Sequence, residues 1–457
     1  MFLQTVESEG LAHLSYILGH GGQAAVIDAR RDTDVYIEIA GRHQCRITHV
    51  FETHRNEDYV AGSRDLQRRT GATIYHGENL DWAFGRPVAE GDAFQLGDIR
   101  LGILQTPGHT FESISITLAD VGSSDAPVAV FTGDALFVGD VGRTDFYPDR
   151  AEEVAGLLYD SLFDKLLPLG DEVLLYPAHG AGSVCGSGMA PRDFSSLGYE
   201  RRHNPALQVD GREAFIRNKV AEHHYKPPYF KQMEKLNQYG APPLRELPAP
   251  PPLDSAAVAR AADDGAVLLD LREPEAFAGA FVPGSLNIPL DLIPAYAGYL
   301  LPYDRPILFI ASHADDVAAA VRYLVRMGYD RLDGTLRGGL HAWETSGRVL
   351  ASLGVTSARD LKDRLADPAA APTVLDVRKI NEWEAGHLAG ATHIFLGDLP
   401  DRLDEVPTDR PIVTFCGSGR RASVAASILH RHGLRDLSNN LGSMAACKAV
   451  ECPIVHA

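Results

Sequence analysis

Four short stretches place a residue able to bind a metal just after an apolar, strand-like run. They are Thr53-His54, Thr106-Pro107-Gly108-His109-Thr110, Phe131-Thr132-Gly133-Asp134 and Tyr176-Pro177-Ala178-His179. One such histidine means little. Four at strand ends suggest one site, because loops at strand ends carry chemistry and lie side by side. After His54 the chain continues with Asn56, Asp58 and Tyr59. A second kind of chemistry lies near the other end. Cys416 closes the apolar run Pro411-Ile412-Val413-Thr414-Phe415, and Gly417, Ser418 and Gly419 follow it. Arg420 and Arg421 then open a segment with helical periodicity. Glycines let successive backbone N–H groups turn inward as an anion-binding nest. The helix start adds its positive end, and the two arginines add full charge. Such a cradle stabilises a thiolate or a cysteine persulfide.

The elements that must hold these residues fall into two parts. Leu247-Pro248-Ala249-Pro250-Pro251-Pro252-Leu253 reads as a semi-rigid extended linker, assigned to 247–254. Before it, residues 1–246 alternate strand-like pieces irregularly with a few helices. After it comes an internal repeat. The segment 266–290 matches 373–396, and 305–332 matches 410–437. Each copy reads as short apolar strand, helix, strand, loop, helix, which implies a parallel sheet covered on both faces. The period far exceeds that of a solenoid, so the repeat is a domain duplication, with units at 255–350 and 357–457. Aligned on Arg305-Pro306 and Arg410-Pro411, Ala311 stands where Cys416 does, and Asp315 and Asp316 replace Arg420 and Arg421. With no nucleophile and the charge reversed, the first copy is expected to be inactive.

At 457 residues the chain requires several cores. A net charge of −18 argues against nucleic acid or an anionic membrane as a general partner. The N-terminus lacks a basic region followed by an apolar stretch, and no apolar run is long enough to span a bilayer. Cytoplasm is the expectation. Five cysteines, Cys45, Cys185, Cys416, Cys447 and Cys452, are too few and too scattered for a disulfide framework. They fit a reducing compartment with individually reactive thiols. Cys447 and Cys452 lack a cradle and read as structural. Cys185 lies in the glycine-rich run after His179, where a thiol could relay a sulfane sulfur or simply pack as a small hydrophobe.

The order of the N-terminal motifs, with "GDALF" at 133–137 and "GRTDF" at 142–146, resembles the metallo-β-lactamase fold in its glyoxalase II and persulfide dioxygenase branch. That resemblance implies an αββα sandwich. In that family the first motif is usually THxHxDH and feeds two metals. Here Asn56 and Tyr59 replace two histidines. His54, His109 and Asp134 survive, and the resemblance implies that they hold one Fe(II) as a facial triad, with zinc as the alternative. Asp58, Tyr59 and His179 read as residues that orient the ligands or substrate, or as plain structural hydrogen-bonders. Arg143 reads as positioning an anionic thiol carrier or the ligand loop, or as a salt bridge of the fold. The C-x-x-G-x-R spacing at Cys416 and "VLDVR" at 374–378, with Asp376 and Arg378, resemble rhodanese, a sulfurtransferase. Cysteine phosphatases share the cradle but want the arginine one position later, where this chain has Ala422.

The resemblances together imply an α/β enzyme that oxidises a small thiol persulfide, of the glutathione or coenzyme A type, with O2 to sulfite. Sulfane sulfur would pass through Cys416, with thiosulfate as a further product. Two alternatives stand beside this: a one-zinc thioester hydrolase of the glyoxalase II type, and a non-catalytic persulfide carrier or sensor using Cys416 alone. A homodimer is compatible with the branch.

Overall fold

The computed structural model describes residues 1–183, 186 and 188–456. Cys185 lies outside the described residues. The chain divides into two compact units, Met1–Leu247 with Val325–Gly328, and Pro248–Leu324 with Tyr329–Ala457.

The first unit contains two six-stranded sheets. One runs in chain order through β1 (Phe2–Ser8), β2 (His13–His20), β3 (Gln23–Ile27), β4 (Arg46–Glu52), β5 (Thr73–Gly77) and β6 (Arg86–Val88). The first three strands are antiparallel and the rest join in parallel. The other contains β7 (Ala93–Leu96), β8 (Ile99–Gln105), β9 (Ile114–Asp120), β10 (Ala129–Gly133), β11 (Leu174–Pro177) and β12 (Ser195–Ser196) in the order β12-β11-β10-β9-β8-β7. Strand alternation puts every second side chain on one face. The facing sides therefore bury Tyr16, Leu18, Ile27 and Phe51 against Leu101, Ile103, Ile116 and Phe131 in one cluster. The outer face of the first sheet takes Tyr36, Ile39 and Leu66 from the helices Asp34–Arg42 and Ser63–Thr70. The outer face of the second takes Leu158 from the helix Ala151–Asp160, together with Leu162, Leu166 and Phe215. The result is the αββα sandwich.

The second unit holds two five-stranded parallel sheets of identical topology. The first is β13-β17-β16-β14-β15, with β13 (Pro252–Leu253), β14 (Val267–Asp270), β15 (Leu286–Asn287), β16 (Ile307–Ile310) and β17 (Leu332–Leu336). The second is β18-β23-β22-β19-β21, with β18 (Gly354–Thr356), β19 (Thr373–Asp376), β21 (Thr392–His393), β22 (Ile412–Phe415) and β23 (Leu437–Asn440). β20 (His387–Leu388) pairs separately with β24 (Ile454–Val455). The central strands are fully buried four-residue apolar runs, as parallel sheets require. Both repeats carry the same pin at the end of a central strand. Arg272 clasps Asp270 through Nε (2.9 Å) and Nη2 (2.6 Å), and Arg378 clasps Asp376 with the same distances. Each arginine also donates to a carbonyl eight residues on, Ala280 or Gly386, both at 2.9 Å. Cys447 and Cys452 are buried in the second repeat's core with their Sγ atoms 2.8 Å apart.

Candidate active site

Strand ends bring the N-terminal motifs together. His54 follows β4, His109 lies in the turn between β8 and β9, and Asp134 follows β10. Gly133 adopts φ +54, and a Cβ there would collide with Thr53 Oγ1 at 2.6 Å. Glycine is thus required for β10 to deliver Asp134 beside His54.

The hydrogen bonds fix which ring nitrogen each histidine presents. Thr53 donates its hydroxyl proton to Asp28 Oδ2 (2.8 Å), so toward His54 Nδ1 (2.9 Å) it accepts. His109 Nδ1 lies 3.0 Å from the Arg143 carbonyl, which can only accept. Both rings therefore carry their proton on Nδ1 and present a bare Nε2. Asp134 Oδ2 lies 3.7 Å from His54 Nε2 and 3.6 Å from His109 Nε2. None of these three atoms has a hydrogen-bond partner, and all three residues are buried. Burial holds the His54 imidazole down at about 3, so it stays neutral. Three buried acceptors facing one another without a donor fit a cation, and the donor set of two imidazoles and one carboxylate fits a divalent transition metal.

Asp134 Oδ1 accepts from His179 Nδ1 (2.7 Å), while His179 Nε2 lies 3.0 Å from Asp58 Oδ2. Burial alone would neutralise this ring, but the two carboxylates outweigh it and raise His179 well above its ordinary value. Burial would likewise raise Asp134, yet His179 holds its carboxyl below the usual carboxylate range. An imidazolium thus joins the two carboxylates Asp58 and Asp134. Tyr59 stacks on His13 at 3.8 Å, and Asn56 Nδ2 donates to the His54 carbonyl (3.3 Å). Neither substituted position offers an imidazole to a second ion.

Arg143 is almost fully buried. Its Nε and Nη2 donate to Asp145 (2.7 and 2.8 Å), and Nη1 donates to the Tyr225 carbonyl at 3.3 Å. Its guanidinium therefore braces the loop whose carbonyl orients His109.

Glu57 and His13 were missed in the sequence. Glu57 is buried with neither oxygen in a hydrogen bond; Oε1 lies 3.9 Å from Arg55 and Oε2 lies 3.6 Å from His109 Nε2. It sits between two residues singled out above, so its position alone was a signal. His13 opens β2, and its Nδ1 lies 2.9 Å from Ser8 Oγ.

In the second repeat, Gly419 (φ +96) caps the helix Arg420–Arg431 and donates its N–H to Cys416 Sγ at 3.1 Å. The carbonyls of Cys416, Gly417 and Ser418 accept from Met444, Ala445 and Gly442 (3.0, 3.0 and 3.2 Å). The start of the helix Ser443–Ala449 thus draws the loop's carbonyls to one side. Ser443 accepts from the Cys416 N–H (3.1 Å) and donates to the Asn440 carbonyl (2.7 Å). It was also missed, since its left-handed backbone (φ +40) has no signature in a serine. The two arginines each meet carboxylates. Arg421 is held by both oxygens of Glu382 (2.6 and 2.7 Å), and Arg420 pairs with Glu273 and Asp291 of the first repeat. Both guanidiniums are thus ion-paired beside the Cys416 loop.

Residues 9–179 match the metallo-beta-lactamase superfamily, and 254–346 and 357–449 match the rhodanese-like domain. A crystal structure of a metallo-beta-lactamase from Staphylococcus aureus subsp. aureus COL is 32% identical, with a TM-score of 0.66, covering 74% of this chain and 98% of that one. The mitochondrial persulfide dioxygenase ETHE1 of Bos taurus is 29% identical over 257 residues, 54% of this chain and 82% of that protein. A hydroxyacylglutathione hydrolase of Rhizobium etli is 33% identical over 161 residues, 35% of this chain and 57% of that protein. The chain is an enzyme of the metallo-β-lactamase superfamily that carries two rhodanese-like domains on the same polypeptide.

Proposed function

We propose that the N-terminal unit oxidises a small thiol persulfide with O2, and that Cys416 transfers sulfane sulfur. The balance is R–S–SH + O2 + H2O giving R–SH, sulfite and two protons. The observation that carries this reading is the convergence of His54 Nε2, His109 Nε2 and Asp134 Oδ2 as acceptors alone. Bound Fe(II) would supply redox activation of O2 and open positions for a substrate sulfur. Thr53 and the Arg143 carbonyl hold the two imidazoles in the ligating tautomer. His179 fixes Asp134 so that Oδ2 alone faces the histidines. At the other site, the Gly419 N–H stabilises charge on the Cys416 sulfur, whether thiolate or persulfide. The likeness to a persulfide dioxygenase supports the first chemistry, and the rhodanese-like match supports the second.

The hydrolase-like relative favours a second reading, thioester hydrolysis at one zinc. A hydrolase gains from a second ion clamping hydroxide. Here an imidazolium joins the two carboxylates, and Asn56 and Tyr59 replace imidazoles. Both features favour the dioxygenase. The test is elemental analysis of protein purified without added metal, paired with O2 uptake on glutathione persulfide. About one iron per chain, lost in His109→Ala, with sulfite formed as O2 is consumed, supports the proposal. Zinc at that ratio, with thioester turnover without O2, would replace it with the hydrolase.

A further inference from the structure

The first rhodanese-like repeat has no nucleophile, yet its residues reach the helix that follows the Cys416 loop of the second. Asn287 of β15 is fully buried. Its N–H donates to Ser427 Oγ (3.1 Å), and its Oδ1 accepts from Ser423 Oγ (2.6 Å), both on the helix that starts at Arg420. This anchors the helix start against the first repeat. Glu273 meets Arg420 through both oxygens, and Asp291 meets the same guanidinium. Tyr296, buried, lies within electrostatic reach of Arg421. The second repeat adds Glu382 on Arg421, with Lys379 beside them. Three cations, Arg420, Arg421 and Lys379, thus stand with three carboxylates, Glu273, Asp291 and Glu382.

We propose that the first repeat sets the donor specificity of the Cys416 site: Glu273 and Asp291 restrain Arg420 and neutralise the mouth, so that thiol persulfides are favoured over the thiosulfate dianion. This rests on the sulfur-transfer reading above. In either transfer the Cys416 thiolate attacks the outer sulfur. The new Sγ–S bond forms as the old S–S bond breaks, and its electron pair leaves with the donor. From a persulfide the leaving group is a thiolate, which takes up the persulfide's proton. From thiosulfate it is sulfite, which departs with two negative charges. A doubly charged donor needs free cations beside the loop, and here each arginine is occupied. A persulfide attacked as R–S–SH brings no charge to the reacting end and loses little. Glu273 and Asp291 are therefore positioning residues acting through Arg420. Their side chains are 60% and 58% exposed, so the pairs add little stability and their removal tests charge rather than folding.

The test uses the full chain with cyanide as sulfur acceptor, comparing thiosulfate with glutathione persulfide as donors. In the Glu273→Gln/Asp291→Asn double variant, the KM for thiosulfate is expected to fall about fivefold, with kcat and the persulfide kcat/KM each moving less than about twofold. The gain should fade at high salt, which loss of a merely structural contact would not do. Glu344→Gln, an exposed carboxylate elsewhere in the same repeat, controls for net charge and should leave the donor ratio unchanged. An unmoved ratio in the double variant, or parallel changes with both donors, overturns the proposal while sulfur transfer stands. Transfer from neither donor in the wild-type chain overturns both.

Discussion

The two rhodanese-like repeats share one sheet order and one Asp–Arg pin, and differ at the loop after the central strand. In the second repeat, β22 ends in Cys416, and the helix Ser443–Ala449 gathers the loop's carbonyls and leaves an N–H on the sulfur. In the first, β16 ends before Ala311, and the His313 N–H is taken by Asp316 Oδ2 at 3.3 Å. There the loop borders a cavity of about 910 Å³ whose walls include Pro250, Val317, Arg337 and Leu340. The comparison separates what a fold needs from what a reaction needs. The pin, the parallel strands and the helix after the loop survive in both copies because the core depends on them. Nucleophile, nest and cation are found together only where sulfur chemistry is proposed.

The sharpest way to break this contrast is to exchange the nucleophile. Cys416→Ser should abolish sulfur transfer, by about 10³-fold or more, as read by persulfide-to-cyanide turnover. Ala311→Cys in the first repeat should gain nothing, because Asp315 and Asp316 would repel an anionic sulfur. Turnover rescued by Ala311→Cys in a Cys416→Ser background would show the loops to be equivalent after all. Next comes the independence of the N-terminal unit. Asp134→Asn should lower metal affinity at least about 100-fold by chelator competition, with Cys416 sulfur transfer unchanged. The shared pin predicts equal effects in both copies. Asp270→Asn and Asp376→Asn each leave a buried guanidinium uncompensated and should destabilise the chain by about 3–5 kcal/mol in denaturant melts. The smallest effect is expected at Ser443→Ala. Losing its bonds to the Cys416 N–H and the Asn440 carbonyl should cost about 1–2 kcal/mol of stability, with a parallel loss of transfer rate.

Much of this was legible in the sequence, for a local reason. His54, His109 and Asp134 end strands, so an apolar run followed by a ligand-type residue revealed them. Cys416 and its glycines form one contiguous cradle, and the duplication announced itself at constant spacing. What escaped was tertiary. Glu273 and Asp291 lie well over a hundred residues from Arg420, and no pattern within either segment connects them. Ser443 escaped because an ordinary residue type takes an unusual backbone conformation. The partners of the guanidiniums escaped for a related reason: a sequence displays charges but not the groups that pair with them.

The ring of His179 has a consequence for how the N-terminal site is assembled. Its two nitrogens keep Asp58 and Asp134 in place with a charge the polypeptide supplies itself. A chelator can withdraw an ion from the triad, but it cannot withdraw that ring. The apoprotein should therefore keep Asp134 pre-aimed, so that loading resembles filling a socket rather than folding around a guest. Metal uptake would then be fast and leave the backbone undisturbed, unlike in small domains that collapse only once their ion arrives.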